Sequence, residues 1–240
     1  MNREEAVLRE LNLYPLWVRR SPPAFTSSAM ETRHPAEESG VVPPAAKKQE
    51  QAIGELGWPE LKARVKHCAA CKLRVGCTQT VFGVGDEKAS WLFVGEGPGA
   101  DEDAQGEPFV GQAGKLLDNM LAAIRLKRGK DVYIGNIVKC RPPGNRAPEA
   151  DEIAQCMPYL QRQIELIQPR LIVALGKTAA TALLGHDATL ASLRGRLHDY
   201  QGIPLVITYH PAYLLRTPMD KAKAWQDLRL AVDAMTKVRD

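Results

Sequence analysis

The cysteines are the residues of this chain whose spacing points most directly to chemistry. Cys68 and Cys71 are separated by two residues, a common ligand pair, and Cys140 and Cys156 are separated by fifteen. Four thiolates hold either zinc or an iron–sulfur cluster, and the spacing does not choose between them. The alternative for Cys156 is a small buried hydrophobic residue on a helix face. Cys77 is left without an assigned partner.

A second stretch, from Val94 to Asp103, combines three glycines with four carboxylates. Glycine lets the backbone approach a ligand closely because it has no Cβ. The carboxylates do not suit a phosphate, which favours bare N–H groups and lysine. The dinucleotide fingerprint is also broken, because Ala100 stands where a third glycine is required. We therefore expect this turn to bind a neutral or cationic group or to position water.

Three further residues have side chains suited to a planar, hydrogen-bonding ligand. Phe109, in a glycine-flanked loop, can stack on a base, which contributes ~1–3 kcal/mol. Asn136, inside an apolar strand, can donate and accept at once along a base edge. His210, after the last predicted strand, can act as a neutral donor or a general acid. The alternatives are a loop anchor, a structural amide and a satisfied structural histidine.

The segment after His210 combines an apolar run with a cation, Tyr213-Leu214-Leu215-Arg216. Such a run can wedge into a base stack while the arginine contacts phosphate. Other basic residues near the predicted strand ends are Lys139, Arg141, Arg146, Lys177, Arg194 and Arg196. Contacts with DNA phosphates would explain them. Basic residues in loops also occur where they only increase solubility, so this cluster alone does not identify a nucleic-acid partner.

The elements that must position these residues alternate between strands and helices. Short apolar segments predict strands at 90–94, 131–138, 170–175 and 204–209. Apolar periodicity predicts helices at 59–68, 115–125, 150–167, 177–184 and 221–238. This alternation predicts a three-layer α/β/α fold with a central four-stranded, mainly parallel sheet. Ligands bind at the carboxyl ends of such strands, so one crevice is expected to contain Gly95–Glu102, Asn136, Gly176-Lys177 and His210.

The composition is that of an ordinary globular chain of 240 residues, and its net charge of +4 permits a nucleic-acid partner without requiring one. No run of 18 apolar residues is present, so no membrane span is expected, and no secretory signal is visible. Five cysteines in such a chain favour metal binding or catalysis over disulfides. We expect a cytoplasmic monomer.

The N-terminal region differs in composition from the rest. Residues 1–20 predict a short helix and an apolar, basic extension that could dock a protein partner, or else pack back on the domain. Residues 21–57 are rich in Pro, Ser, Ala, Glu and Lys and predict a disordered linker, because they cannot bury enough surface to offset ordering entropy. The folded domain is expected at 58–240.

Jointly, these motifs resemble the family 4 uracil-DNA glycosylases, the iron–sulfur branch of the uracil-DNA glycosylase superfamily. The resemblance covers about 61–234. The turn Gly95-Glu96-Gly97-Pro98-Gly99 resembles the first family motif, Gly135 to Pro143 resembles the segment with the uracil-reading asparagine and a cluster cysteine, and His210 to Arg216 resembles the second motif. The resemblance implies a base excision repair enzyme that flips uracil out of DNA and excises it hydrolytically, leaving an abasic site.

The resemblance also implies a cofactor. Cys68, Cys71, Cys140 and Cys156 would bind a [4Fe–4S] cluster, and Cys77 would be a spare cysteine. The cluster in this family is structural and pins the DNA-facing loops. Iron–sulfur is thereby favoured over zinc, which the spacing could not decide.

For the base, the resemblance implies that Phe109 stacks on uracil, that Asn136 pairs with N3 and O4, and that His210 donates to O2. Gly97, also at the uracil site, stands where classical uracil-DNA glycosylases carry an aspartate. Water activation is therefore assigned to Glu102, with Glu96 as the rival. The implied DNA contacts are Leu214, Leu215, Arg216 and Arg196.

Three other functions compete with this interpretation. The first is a glycosylase with a broader range, acting also on hypoxanthine or xanthine. The second is a non-catalytic iron–sulfur or zinc nucleic-acid binder, which would need neither Asn136 nor His210 at a strand end. The third is a recruitment protein whose main function lies in residues 1–57. We expect excision to survive deletion of those residues.

Overall fold

The computed structural model describes residues 53–237. The predicted docking segment at 1–20 and all but the last five residues of the predicted linker lie outside this range. Ile53 is buried and belongs to the core, so packing extends beyond the predicted domain boundary at residue 58. None of the helices in the described range has the length and apolar composition needed to cross a bilayer.

The sheet has six strands in the order β1-β3-β2-β4-β6-β5. In chain order, the strands are β1 (Val84–Gly85), β2 (Trp91–Gly95), β3 (Val132–Asn136), β4 (Leu171–Leu175), β5 (Leu197–Tyr200) and β6 (Ile203–Thr208). The four predicted strands form the parallel centre, β3-β2-β4-β6. The prediction of four strands missed β1 and β5, which pair antiparallel at the two edges.

The two edge strands lack the signal that identifies the central ones. β1 has only two residues, and β5 is polar and largely exposed. β5 joins β6 through a tight turn in which Gln201 and Gly202 both have positive φ, 52° and 86°. Such hairpins are recognised from their turn residues and not from an apolar run.

The helices cover both faces of the sheet. In chain order, they are α1 (Trp58–Lys66), α2 (Leu73–Gly76), α3 (Ala100–Gln105), α4 (Gln112–Ala123), α5 (Ala150–Ile167), α6 (Lys177–Leu184), α7 (Leu190–Leu193), α8 (Pro211–Arg216) and α9 (Lys221–Lys237), with 3₁₀ turns at Pro143–Asn145 and Pro218–Asp220. α5 and α6 have the predicted bounds. The short helices α3 and α8 were not predicted, and both begin directly at candidate site residues.

Each central strand sends alternate side chains into two separate cores. Leu92 and Val94 of β2 belong to the core under α1 and α5, whereas Trp91 and Phe93 belong to the core under α4 and α9. All five residues of β2 are buried, as expected for a parallel strand covered on both faces. The three-layer α/β/α prediction is therefore confirmed, with six strands in place of four.

Candidate active site

One pocket opens where β2 and β3 end. Gly95 and Asn136, the last residues of these strands, are register partners. The predicted residues that line this pocket are Glu96, Gly97, Gly99, Glu102, Phe109, Asn136, Arg146, His210 and Arg216. We call it the strand-end pocket. Its members come from four separate parts of the chain, and the parallel sheet brings them together.

Asn136 presents an unpaired acceptor to this pocket. The residue is 2% exposed, and its Oδ1 has no hydrogen-bond partner among the described residues. A buried polar atom without a partner is rare and calls for a ligand or a bound water. Gly95 leaves the necessary space, because a Cβ there would lie 2.5 Å from this Oδ1 and 2.5 Å from Cζ of Phe109.

Phe109 is held in a strained backbone conformation. Its φ is +56°, which is uncommon for a bulky residue. The guanidinium of Arg128 donates to the carbonyl oxygens of Pro108 and Phe109, each at 2.8 Å. Gly114 is required beneath the loop, because a Cβ there would lie 1.7 Å from the carbonyl oxygen of Phe109. Strain of this kind persists only where the surroundings enforce it, often at functional sites.

Glu102 also holds the loop that contains Phe109, through hydrogen bonds to the residues that follow Phe109. Its Oε1 accepts the N–H groups of Val110 at 3.0 Å and Gly111 at 3.2 Å. Its Oε2 accepts the N–H of Gly99 at 3.0 Å, which also caps α3. This carboxylate is therefore largely committed to backbone donors. The bonds to Val110 and Gly111 could not be predicted from the sequence, because they depend on tertiary packing.

Glu96 is less committed. It follows β2 directly, is partly exposed and lines the strand-end pocket. Its Oε2 accepts a hydrogen bond from the hydroxyl of Thr178 in the first turn of α6. No further hydrogen bond to this carboxylate occurs among the described residues, so Glu96 retains acceptor capacity toward the pocket.

His210 has a defined tautomer. Its Nδ1 accepts the N–H of Ala212 at 3.2 Å, as the side-chain cap of α8. In the neutral ring, the proton is therefore on Nε2. Burial, reinforced by the charge of Arg216 and opposed by Glu102, lowers the pKa of His210 to about 4. One side of the His210 ring borders the open pocket, and protein atoms surround its other sides. The ring of Phe109 stacks on it, with 5.5 Å between the two ring centroids.

The end of β4 contributes space in place of a functional side chain. Gly176 has a φ of +94°, and a Cβ there would lie 3.1 Å from Cβ of His210. Lys177, expected to face the crevice, instead pairs with Asp187 at 2.8 Å and does not line the pocket.

The two leucines after His210 occupy different environments. Leu214 is 1% exposed, whereas Leu215 is 44% exposed. The prediction that both leucines enter a base stack does not agree with the structure for Leu214, which is buried where α8 packs against α4. The sequence could not separate two adjacent leucines, because the orientation of α8 depends on its packing.

The predicted basic cluster is likewise divided. Lys139 is only 2% exposed, and burial lowers its pKa to about 8. Arg194 forms an internal pair with buried Asp227, at 2.9 and 3.0 Å. Arg216 lines the strand-end pocket, and Arg196 is exposed without lining it. Only part of the cluster is therefore available to a phosphate backbone.

Cys68, Cys71, Cys140 and Cys156 line a second pocket, which we call the cysteine pocket. Cys77 is buried nearby but is not part of its lining. The described residues contain no group of three or more His, Cys, Asp or Glu side chains that could hold a single metal ion.

Burial disfavours the ionised form of three of these thiols. It raises the pKa of Cys156 to about 11 and also raises the pKa of Cys140 and Cys71. Two groups nevertheless donate to the sulfurs: the N–H of Lys139 to Cys156 at 3.2 Å and the hydroxyl of Tyr159 to Cys68 at 3.3 Å. These thiols would have to release their protons and become thiolates in order to bind a cation.

Comparisons with known proteins agree with this geometry. The family described as "Uracil DNA glycosylase superfamily" matches residues 82–229. The chain is 42% identical to a type-4 uracil-DNA glycosylase of Archaeoglobus fulgidus, over 71% of this chain and 89% of the relative. It is 48% identical to the type-4 enzyme of Thermotoga maritima, over 64% of this chain and 80% of the relative.

A relative from another branch is less similar. The type-5 uracil-DNA glycosylase of Pyrobaculum aerophilum is 30% identical, over 66% of this chain and 84% of the relative. The matched region contains both the strand-end pocket residues and two of the four pocket cysteines. The chain belongs to the uracil-DNA glycosylase superfamily, in its family 4 branch.

Proposed function

We propose that this chain excises uracil from DNA by hydrolysing its N-glycosidic bond, leaving an abasic site. The observation that carries the proposal is the buried, unpaired Oδ1 of Asn136 beside Phe109 and His210 in one pocket. The names of the relatives, type-4 uracil-DNA glycosylases, support it. Because the glycosidic bond is out of reach in a duplex, the nucleotide must be flipped into the pocket.

Asn136 reads the edge of the flipped base. Its Oδ1 accepts the N3–H of uracil and its Nδ2 donates to O4. Cytosine presents the opposite pattern, with an accepting N3 and a donating N4, so it leaves both groups of the amide unpaired. Phe109, fixed by Arg128 and Glu102, supplies the stacking surface.

His210 stabilises the leaving group. With Nδ1 accepting the Ala212 N–H, Nε2–H is free to donate toward O2 of uracil. When the C1′–N1 bond breaks, its electron pair moves onto the uracil ring, and a donor at O2 stabilises that charge. A neutral imidazole suffices for this role, in accord with the lowered pKa of His210.

We assign the attacking water to Glu96. Glu102 was the sequence-based choice, but its oxygens already accept three backbone N–H groups, so its role is to position Phe109. Glu96 lines the same pocket with acceptor capacity to spare. The water oxygen forms the new bond to C1′ and releases a proton to this carboxylate, which also favours the developing cationic sugar.

The DNA strand is held outside the pocket. Leu215 is exposed beside the pocket residue Arg216 and is placed to fill the gap left by the flipped base. Arg216 and the exposed Arg196 are assigned to phosphates. Leu214 is excluded from this role by its burial.

We infer that the cysteine pocket holds a [4Fe–4S] cluster. Four cysteine thiolates are the usual donor set of such a cluster, and the four predicted cysteines line this pocket together. The resemblance to family 4 favours the cluster over a zinc ion, which four cysteines could also hold. Cys68 and Cys71 before α2, Cys140 after β3 and Cys156 in α5 would hold the cluster, which would then tie these three segments together.

The experiment that tests the proposal offers the full-length, cluster-loaded protein a panel of matched oligonucleotides. Each contains one uracil, hypoxanthine, xanthine or cytosine, in single-stranded and duplex form, and free base is measured. Release of uracil and not of cytosine is expected. Release of hypoxanthine at a comparable rate would favour the broader glycosylase. Binding without release of any base would favour the non-catalytic nucleic-acid binder.

We place this activity in the cytoplasm, in a monomer whose residues 53–240 are sufficient for catalysis, because Ile53 belongs to the core. Residues 1–20 and 21–52 are assigned to partner docking and to a linker. Deletion of residues 1–52 is expected to leave uracil release unchanged on naked DNA. Near-total loss would contradict the linker assignment.

A further inference from the structure

Lys139 is a buried lysine with an unusual position. It is 2% exposed, precedes Cys140 directly and lines the cysteine pocket. It also lies three residues after Asn136, on the segment that leaves β3. The uracil-reading residue and a cysteine of the second pocket are therefore joined by one short stretch with a buried cation between them.

The ammonium group of Lys139 contacts two neutral acceptors. Its Nζ donates to the carbonyl oxygen of Asn136 at 2.9 Å and to Oε1 of Gln163 at 2.7 Å. Gln163 is oriented in turn by donating to the carbonyl oxygen of Phe82 at 3.0 Å and to the hydroxyl of Tyr133 at 3.2 Å. The Lys139 side chain therefore grips the Asn136 peptide and is held in that position by a buried network.

No carboxylate balances this cation in the described part of the chain. None of the salt bridges there includes Lys139. A buried charge without a counter-charge is strongly unfavourable. The proposed cluster ligand Cys156 lies beside this residue, because its sulfur accepts the Lys139 backbone N–H at 3.2 Å.

We propose that Lys139 is the buried counter-charge of the iron–sulfur cluster and a positioning residue for Asn136. The inference rests on the proposed function. Four thiolates give a bound cluster a net negative charge, and Lys139 is a buried cation whose backbone adjoins two of the proposed ligands, Cys140 and Cys156. Because the same ammonium holds the Asn136 carbonyl, occupation of the cysteine pocket fixes the peptide that carries the uracil-reading amide.

The test replaces the charge without removing volume, by Lys139→Met, in the cluster-loaded protein. Loss of a buried positive charge beside the cluster makes its reduction less favourable, so the reduction potential shifts to a more negative value. The KM for uracil-containing DNA and the Kd of free uracil are expected to rise about tenfold, with a smaller change in kcat, because the reading amide loses its support. A Lys139→Arg variant, which keeps the charge, should restore most of the potential.

Lys72→Met is the matched control. Lys72 also follows a pocket cysteine directly, but its side chain is exposed and pairs with Glu149 at 2.5 Å. Solvent and that carboxylate screen its charge. The potential and the uracil affinity of this variant should therefore stay close to those of the wild type. An equal shift in both variants would mean that any nearby cation acts alike and would overturn the proposal.

Gln163→Glu keeps the proposal testable if Lys139→Met does not fold. The new carboxylate would lie 2.7 Å from Nζ and would balance the charge of Lys139. The reduction potential of the cluster should therefore become more negative, as in Lys139→Met, although the lysine itself is retained. An unchanged potential, or failure of this variant to fold, would contradict the account. The proposed function is tested by the wild type alone: it would be contradicted if the wild type held no cluster or released no uracil.

Discussion

The two pockets of this protein are prepared in different ways. The strand-end pocket is held by backbone hydrogen bonds: Glu102 binds three N–H groups, and Arg128 binds two carbonyl oxygens of the Phe109 loop. The cysteine pocket contains buried thiols whose raised pKa keeps them neutral until a cation binds. The first pocket is therefore preformed by the chain itself, whereas the second would be completed by the proposed cluster.

The pockets are nevertheless connected at two points. The segment from Asn136 to Cys140 runs from one to the other. Asp103, buried in α3, accepts the N–H groups of Thr78 at 2.9 Å and Gln79 at 3.3 Å, just beyond Cys77. Damage to the cysteine pocket should therefore reach the strand-end pocket, and the reverse effect should be weaker.

The largest expected effect is loss of the cofactor. Cys140→Ser should remove the visible absorbance of the cluster and lower the thermal unfolding temperature, because cofactor binding and folding are coupled. Cys77→Ser should retain the cluster, since Cys77 does not line the pocket. Absorbance, iron content and thermal melts measure both. Cluster loss in Cys77→Ser with retention in Cys140→Ser would reverse the ligand assignment.

Removal of the leaving-group donor affects the other pocket alone. His210→Ala should lower kcat/KM about 10²- to 10³-fold, the usual loss for one donor to a developing oxyanion. Cluster absorbance should not change. His186→Ala, at an exposed position, is the control and should behave as the wild type.

The charge state of His210 sharpens this prediction. Because its pKa is lowered to about 4 by burial, the ring should stay neutral from pH 8 down to about pH 5. Wild-type activity should therefore show no step near pH 6.5, where an ordinary histidine titrates. NMR titration of the ring carbon signals gives a direct check, and protonation near pH 6.5 would contradict the proposed environment.

Glu96 and Glu102 are predicted to have different roles, Glu96 in catalysis and Glu102 in holding the Phe109 loop. Glu96→Gln should lower kcat about 10²-fold with little change in thermal stability, because it removes a proton acceptor. Glu102→Gln should lower both activity, about tenfold, and the unfolding temperature, because one acceptor of the loop becomes a donor facing N–H groups. Single-turnover kinetics and thermal melts distinguish them. The opposite pattern would return water activation to Glu102.

The smallest expected effect lies outside both pockets. Leu215→Ala should reduce excision a few-fold on duplex DNA and leave single-stranded DNA unaffected, because only the duplex leaves a gap to fill. Leu197→Ala on the edge strand β5 is the matched control, since its exposure of 46% is close to the 44% of Leu215. Equal losses on both DNA forms would assign Leu215 another role.

Secondary structure could be predicted from the sequence wherever a single apolar run determines a strand or a helix. The four parallel strands and helices α5 and α6 follow from such runs, and parallel strands place Asn136 and Gly95 at the same edge. The edge strands were missed because they are short or polar. The Glu102 and Arg128 bonds and the burial of Leu214 and Lys139 could not be predicted, because each depends on contacts between distant segments.

The most direct test of the account measures free uracil released from a uracil-containing oligonucleotide by the wild type and by Asn136→Asp. An ionised aspartate accepts but cannot donate, so it loses the bond to O4 and repels the departing base. The account predicts release by the wild type and a loss of about 10- to 100-fold in the variant, with the cluster intact in both. Equal release by the two proteins, or none by the cluster-loaded wild type, would contradict it.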